Sequence, residues 1–204
     1  MIAIVNYGSG NIQAIGNIFK RSNIDFFVAE APEQLEQATK LILPGVGAFD
    51  KTMQQLIDSG LKEKLDDLVL HRKVPVLGIC VGMQILGKDS EEGQLNGLGW
   101  IDGHVKKIDV SKFTHKPHVP HMGWNSVKPL HQHPLMEGID LNQGFYFLHT
   151  YFFSCNKKEN ILCTTEYGNE FASGVYSNNV YGMQFHPEKS HSNGIQLLEN
   201  FAKL

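Results

Sequence analysis

The chain has 204 residues, with 18 Lys or Arg against 21 Asp or Glu and a formal net charge of −3. This balance creates no strong field, so nucleic acid is not expected as a partner. Three cysteines at unrelated spacings, Cys80, Cys155 and Cys163, do not form a disulfide framework and fit a reducing compartment. We expect neither a basic-then-apolar leader before Ile2 nor a membrane span. The composition therefore predicts one soluble, cytoplasmic domain over residues 1–204.

The start of the chain alternates between predicted strands and helices. An apolar strand at residues 2–5 and a turn at residues 6–11 lead into a helix, whose apolar face contains Ile12, Ile15, Ile18 and Phe19. Further strands are predicted at residues 26–29 and 41–43. The glycines of the first turn match neither the dinucleotide fingerprint nor the Walker spacing. We interpret this turn as a connection that can form one rim of a site.

The strand at residues 41–43 runs directly into a loop that reads PGVGAF. A glycine on each side of Val46 allows peptide orientations that larger residues resist, so this loop can point an amide N–H at a ligand. The functional interpretation is half of an oxyanion hole at Val46 and Gly47. The alternative is a tight turn without a chemical role, and the loop alone favours that alternative. Two helices, residues 50–59 and 61–71, are predicted after it.

Residues 74–84 read VPVLGICVGMQ. The apolar first half predicts a buried strand, and the second half begins a helix that is expected to reach about residue 88. Cys80 lies between Gly78 and Gly82, which is the nucleophile-elbow pattern with cysteine in place of serine. The helix N-terminus favours a thiolate, and the Val81 amide would face a developing oxyanion. The alternative is a buried cysteine that acts as a small hydrophobe.

The elements predicted in the middle of the chain are strands. Strand-like segments separated by turns are predicted at residues 103–108, 124–127, 145–148 and 161–165. They indicate antiparallel strands added to a parallel core. The predicted fold class is therefore α/β, a mainly parallel open sheet flanked by helices with added antiparallel strands.

Five of the ten histidines fall in the segment 115–133, at His115, His118, His121, His131 and His133. Pro117 and Pro120 prevent the first three from forming one helical ligand face, and no cysteine is nearby to complete a zinc tetrahedron. We therefore expect no metal site and no cofactor, only fortuitous binding to exposed imidazoles.

The segment at residues 179–190 reads NVYGMQFHPEKS. Asn178-Asn179 predicts a hairpin between two strands, residues 171–176 and 180–185. Pro187 forces His186 into an extended conformation, and residues two apart in an extended chain project to the same side. His186 and Glu188 are therefore expected to meet, with His186 as a base toward Cys80 and Glu188 holding its tautomer.

The elbow GICVGMQ, the loop PGVGAF and the segment GMQFHPEKS occur in the order and spacing typical of class I glutamine amidotransferases, and the chain resembles that family from Asn6 to Ser190. Two further segments, PHMGWN at residues 120–125 and YFLHTY at residues 146–151, make it most similar to the glutaminase subunit of imidazole glycerol phosphate synthase. The resemblance implies the same fold and a hydrolase activity toward L-glutamine.

The resemblance also implies roles for individual residues. Cys80 would attack the side-chain amide of glutamine, release ammonia and leave a thioester that water hydrolyses. His186 would move the protons with Glu188 behind it. Amides of the loop at Val46 and Gly47 and of Val81 would form the oxyanion hole. The implied glutamine-binding residues are Gln84, Glu92, His149, Thr150 and Tyr151.

The chain has no predicted phosphate loop or acceptor domain that would use ammonia. The resemblance implies a partner, a (β/α)8 cyclase subunit, in a heterodimer that makes imidazole glycerol phosphate in histidine biosynthesis. Our hypothesis is that Asn11, Trp124 and Asn125 lie on the docking face, because turn amides and tryptophan are typical of interfaces. We expect weak glutaminase activity from the isolated chain and activation by the partner.

The residues leave other functions open. The same chemistry would serve a subunit that feeds ammonia to a sugar amidotransferase of surface-polysaccharide synthesis. A cysteine peptidase or esterase would share the nucleophile and the base but need no partner. A non-catalytic scaffold subunit would keep the fold alone. Release of glutamate from L-glutamine would distinguish the two ammonia-supplying functions from a peptidase or esterase and from a scaffold subunit.

Overall fold

The computed structural model describes residues 1–113 and 118–204, which form an α/β fold. One part of its main sheet is parallel, with neighbours in the order β2-β1-β3-β4. These strands are β1 (Ile2–Val5), β2 (Phe26–Ala29), β3 (Lys40–Gly45) and β4 (Val76–Cys80). All five residues of β4 are buried because both faces of the strand are covered, as expected for a central parallel strand.

The second half of the chain supplies the other strands. They are β5 (Gly103–Lys107), β6 (His121–Asn125), β7 (Lys128–Pro129), β8 (Phe145–His149), β9 (Tyr151–Cys155), β10 (Ile161–Tyr167), β11 (Asn169–Ser177) and β12 (Val180–Met183). The main sheet continues antiparallel from β12 through β11 and β10 to β7, and β9 joins β5 to β11. Strands β6 and β8 form a separate antiparallel pair. The predicted fold class is confirmed.

The described residues form five α-helices. They are α1 (Ile12–Arg21), α2 (Phe49–Asp58), α3 (Lys62–Asp66), α4 (Val81–Gln84) and α5 (His191–Lys203). In α5, Leu197, Leu198 and Phe201 are fully buried, which follows from apolar residues recurring at helical spacing. Across residues 1–113 and 118–204 no helix combines the length and apolar character needed to cross a membrane.

Several predicted boundaries are wrong. The helix after the elbow ends at Gln84 rather than near residue 88, because the amides of Leu86 and Gly87 bond three residues back and tighten the last turn. The helix predicted at residues 61–71 is α3 followed by a wider π-helical turn, Asp67–His71. Strand β6 begins and ends earlier than the predicted 124–127. Strand β9 and helix α5 were not among the predicted elements.

One strand pairing positions the site. The hairpin at Asn178 and Asn179 forms as predicted, and its second strand, β12, pairs in parallel with β4, so that Met183 lies beside Ile79. Parallel neighbours end at the same sheet edge. The residues that follow β12 therefore arrive beside Cys80, at the carboxyl edge where open α/β sheets bind ligands.

Candidate active site

Cys80 occupies a sharp strand-to-helix turn with φ 56° and ψ −112°. This positive φ is strained for a residue with a side chain and is typical of a nucleophile elbow. A Cβ on Gly82 would lie 1.9 Å from the carbonyl oxygen of Leu43, and one on Gly78 would lie 2.5 Å from the carbonyl oxygen of Gly82. Both flanking glycines are therefore required by close backbone packing.

The structure brings the three predicted catalytic residues together. His186 lies beside Cys80, close enough for their charges to interact, and its Nδ1 lies 2.8 Å from Oε1 of Glu188. His186 is extended, with φ −103° and ψ 95°, as its position before Pro187 predicts. The expected extended path to Glu188 is wrong, because Pro187–Lys189 is a 3-10 turn. That turn brings the carboxylate back toward the imidazole.

The environment of His186 favours its protonated form. Burial lowers the pKa of His186, but its hydrogen bonds with Cys80 and Glu188 and their negative charge raise that pKa to about 10. Oε2 of Glu188 is buried and has no hydrogen-bond partner among the described residues. The carboxylate therefore bonds to the imidazole, which is the arrangement that stabilises an imidazolium in hydrolytic triads.

A cavity of about 270 Å³ opens beside the elbow. It is smaller than the roughly 300–1,000 Å³ pockets that hold drug-sized ligands, so its volume suits an amino acid. Every predicted oxyanion-hole and substrate residue lines it together with two catalytic residues, namely Val46, Gly47, Cys80, Val81, Gln84, Glu92, His149, Thr150, Tyr151 and His186. Three lining residues were not predicted, Pro120, Leu148 and Lys189, although each lies within a motif already singled out.

Gln84 forms hydrogen bonds along the wall of the cavity. Its Nε2 donates to the carbonyl oxygen of Tyr151 at 2.9 Å and lies 3.2 Å from Oε1 of Gln184. Gln184 is fully buried, and its Nε2 lies 3.9 Å from Sγ of Cys80. Sequence reasoning missed Gln184. The available signal was a polar residue within the apolar segment that precedes His186.

The Val46 amide of the predicted oxyanion loop is bonded to Ser9. The Val46 N–H donates to Oγ of Ser9 at 2.9 Å, and the Ser9 hydroxyl donates to the Val46 carbonyl at 3.1 Å. In this conformation the Val46 amide is not available to an oxyanion, so its predicted role requires the peptide to turn. Gly47, the next residue, has φ 96°, a conformation that glycine adopts readily.

Glu92 contacts the end of the same loop. Its Oε2 accepts a hydrogen bond of 2.8 Å from the Phe49 N–H at the start of α2. A carboxylate at a helix N-terminus is favoured by the unpaired amides and the helix dipole. Glu92 therefore lines the cavity and also fixes the start of α2 behind the loop.

The three predicted interface residues have different environments. Trp124 is 43% exposed and stacks on His191 with ring centroids 5.2 Å apart, and its neighbour Met122 is 65% exposed. Asn11 is partly exposed just before α1. Asn125 uses its side-chain amide within the chain, on His121 and on the carbonyl of Glu166. The Asn125 side chain is therefore already bonded within the chain, which weakens its placement on a docking face.

Within residues 1–113 and 118–204, no group of three or more His, Cys, Asp or Glu could hold a metal ion. The expected exposure of the histidine-rich segment is wrong for His121, which is 3% exposed. His115 lies outside the described residues.

Comparison with known proteins finds similarity over almost the whole chain. The family model described as "Glutamine amidotransferase class-I" matches residues 3–204. A protein of Bdellovibrio bacteriovorus named imidazole glycerol phosphate synthase subunit HisH is 50% identical over 204 residues, covering all of both chains. A protein of the same name from Leptospira borgpetersenii is 44% identical, again over the full length of both chains.

Solved structures agree on the fold at low sequence identity. One described as a glutamine amidotransferase superposes with a TM-score of 0.73 at 18% identity and covers 100% of both chains. A structure of PurLQS from Thermotoga maritima also gives a TM-score of 0.73, at 15% identity, covering 99% of this chain and 96% of the other.

Proposed function

The chain belongs to the class I glutamine amidotransferases, and from this premise we propose that it is the glutaminase subunit of an imidazole glycerol phosphate synthase. It is an enzyme that hydrolyses L-glutamine to glutamate and ammonia for histidine biosynthesis. Curated relatives 40–50% identical over essentially their full length carry that synthase's name, which favours this function over supply of ammonia to a sugar amidotransferase.

The observation that carries the proposal is one constellation at the carboxyl edge of the sheet. The strained elbow presents Cys80 to His186, which is itself held by Glu188, and all this lies beside a cavity of amino-acid size. A nucleophile, a base in contact with it and an orienting acid are the components of nucleophilic amide hydrolysis.

The reaction follows from these contacts. Sγ of Cys80 attacks the side-chain carbonyl carbon of glutamine, and His186 passes a proton to the leaving nitrogen, so that ammonia departs from a γ-glutamyl thioester. His186 then removes a proton from water, which attacks the thioester and regenerates the thiol. Proton transfer of this kind contributes about 10²- to 10⁴-fold to the rate. Glu188 keeps Nδ1 of His186 protonated, so that Nε2 faces the reacting atoms.

Both steps pass through a tetrahedral oxyanion. The Val81 amide at the start of α4 is one donor to it, and the loop at Val46 and Gly47 supplies the other once the peptide bound to Ser9 turns. Removal of one such donor costs about 3 kcal/mol of transition-state stabilisation. The Ser9 contact therefore supports the expectation that the isolated chain has weak glutaminase activity.

The partner is a (β/α)8 cyclase subunit that receives the ammonia in a heterodimer. Trp124 and Met122 support this proposal, because they form an exposed apolar patch on β6 that is directly paired with β8. Leu148 of β8, opposite Met122, also lines the cavity. Docking at this patch would cover the mouth of the site and shield ammonia from solvent.

Release of glutamate from L-glutamine by the complex tests the proposal. We expect Cys80→Ala to abolish the release, whereas Cys155→Ala, a change at a half-buried cysteine away from the cavity, leaves it intact. Undiminished turnover by Cys80→Ala would contradict the proposed function.

A further inference from the structure

A chain of hydrogen bonds with two buried histidines at its centre connects β6 to the pocket wall. Nδ2 of Asn125 lies 3.2 Å from Nε2 of His121, Nδ1 of His121 lies 3.0 Å from Nε2 of His149, and Nδ1 of His149 lies 2.9 Å from the carbonyl oxygen of Tyr151. His121 and His149 are 3% and 6% exposed. Only His149 and Tyr151 touch the cavity.

Backbone groups fix the direction of this chain at its first end. The Ser126 N–H can only donate, and it meets Oδ1 of Asn125 at 2.8 Å. The carbonyl of Glu166 can only accept, and it meets Nδ2 of Asn125 at 3.0 Å. Asn125 therefore presents an N–H to Nε2 of His121, which must be unprotonated to accept it.

The second end gives the same direction independently. The carbonyl of Tyr151 can only accept, so Nδ1 of His149 carries a proton and the Nε2 of its neutral ring is an acceptor. That acceptor faces Nδ1 of His121, which carries the only proton that a neutral His121 has left. Every donor meets an acceptor, and the chain has no position for an additional proton.

The surroundings keep both rings neutral. Burial lowers the pKa of His121 to about 4, and burial, with repulsion from any positive charge on His121 or His186, lowers the pKa of His149 to about 3. His121 is packed between Phe147 and Tyr167, with ring centroids 4.7 and 3.9 Å away. A neutral His149 leaves His186 as the one imidazolium of the site.

We propose that His121 and Asn125 are positioning residues for the glutamine pocket and that they hold His149 as the neutral Nδ1–H tautomer. The inference rests on the proposed glutaminase function. The Tyr151 carbonyl that receives this proton also accepts from Nε2 of Gln84. The tautomer of His149 therefore fixes two walls of the cavity through one oxygen atom. A reversed tautomer would set a bare Nδ1 against that oxygen and break the bond between His149 and the Tyr151 carbonyl.

The tautomers are measured directly by ¹⁵N–¹H NMR of the histidine side chains in the full chain, with His121→Phe and His149→Phe used for assignment. We expect His121 and His149 to carry the proton on Nδ1 and to stay neutral at pH 7. An Nε2–H tautomer or an imidazolium at either residue would overturn the proposal. This measurement requires no catalysis, so its result is separate from any failure of the glutaminase assay.

Steady-state kinetics of the complex separate positioning from packing. His121→Phe keeps the stacked ring and loses the donor to His149, whereas His121→Asn loses the ring and keeps a donor at the Nδ1 position. We expect His121→Phe to raise KM for glutamine about tenfold with kcat within about threefold, the effect of one buried acceptor left unpaired. His121→Asn should have the lower KM of the two.

The matched control is His131→Phe, at an exposed ring that contacts Tyr176 away from the cavity, and it should leave KM unchanged. A lower KM for His121→Phe than for His121→Asn would show that ring packing is what matters and would contradict the proposal. If either variant does not fold, the wild-type tautomers still decide the question.

Discussion

At the scale of single residues, the chemistry depends on how His186 is surrounded. Its imidazole lies between a thiol and a carboxylate, and both outweigh the burial that would otherwise keep it neutral. Glu188 has only this partner, since its second oxygen is buried without a hydrogen bond among the described residues. The pair therefore acts as a unit, and changes at Glu188 should appear in the properties of His186.

Replacement of Glu188 by glutamine should lower kcat by about 10²- to 10⁴-fold, because an amide can no longer hold the tautomer or stabilise the imidazolium. KM should change little, since Glu188 does not line the cavity. Glutaminase kinetics of the complex provide the measurement. The control is Glu159→Gln, at an exposed turn residue. A kcat within threefold of wild type would remove Glu188 from the catalytic centre.

The same pair predicts a pH dependence of stability. The pKa of His186 is about 10 in the folded protein and about 6.5 when unfolded, so the folded state binds more protons between these values. The stabilisation is complete below about pH 6.5 and is lost as the pH rises through about 10. Urea denaturation should therefore give a free energy of unfolding that falls between about pH 6.5 and 7.5, below the range where unfolded cysteines titrate. The fall should be shallower in Glu188→Gln, and an equal fall in both proteins would contradict the assignment.

At the scale of elements, the site is made by one parallel pairing and one loop. Strand β12 lies beside β4, which brings residues that are far apart in sequence to the same sheet edge. The loop after β3 approaches from the other side, and Gly45 sits opposite Cys80 in the strand register. A Cβ on Gly45 would lie 2.4 Å from the Gly82 N, so the loop and the elbow are packed backbone to backbone. A change in the loop is thus felt directly at the elbow.

Ser9→Ala should raise the glutaminase activity of the isolated chain. Without the hydroxyl, the Val46 peptide loses the contact that holds its N–H away from the elbow. The expected increase is about two- to tenfold, since a neutral hydrogen bond contributes about 0.5–1.5 kcal/mol. Glutamate release without cyclase is the measurement. Ser22→Ala, which removes a hydroxyl bonded to Glu199 on α5, is the control and should have no effect. An unchanged or lower activity for Ser9→Ala would show that Ser9 does not restrain the loop.

The elements that could be predicted carry local signals. The elbow, the hairpin at Asn178-Asn179 and the extended His186 before proline all follow from short-range rules. Helix α5 has apolar residues at helical spacing, so a signal for it was present. The contacts that escaped prediction join distant segments: Ser9 with Val46, Gln84 with Gln184, and His121 with His149. Their partners are set by strand order and register, for which no local pattern exists.

At the scale of the molecule, the exposed apolar residues near the site mark one face. Val46 and Leu148 line the cavity, and Met122 and Trp124 extend the exposed surface along β6. Large exposed aromatic residues near the centre of an apolar patch are typical anchors of interfaces. This face therefore offers a partner contact with the mouth of the site and with the loop held by Ser9.

Trp124→Ala should weaken binding of the cyclase by about 2 kcal/mol or more, which is about a thirtyfold increase in Kd. Isothermal titration of the two purified subunits gives the value. Ile57→Ala is the matched control, because Ile57 is 44% exposed, close to the 43% of Trp124, but lies near the end of α2. Equal Kd values for wild type and Trp124→Ala would place the docking face elsewhere.

The most direct test is to trap the covalent intermediate. The complex is quenched in acid while it turns over L-glutamine, and its peptides are analysed by mass spectrometry. We predict a γ-glutamyl group on the peptide that contains Cys80 and on neither of the peptides that contain Cys155 and Cys163. Steady glutamate formation with Cys80 unmodified and Cys80→Ala fully active would contradict the account.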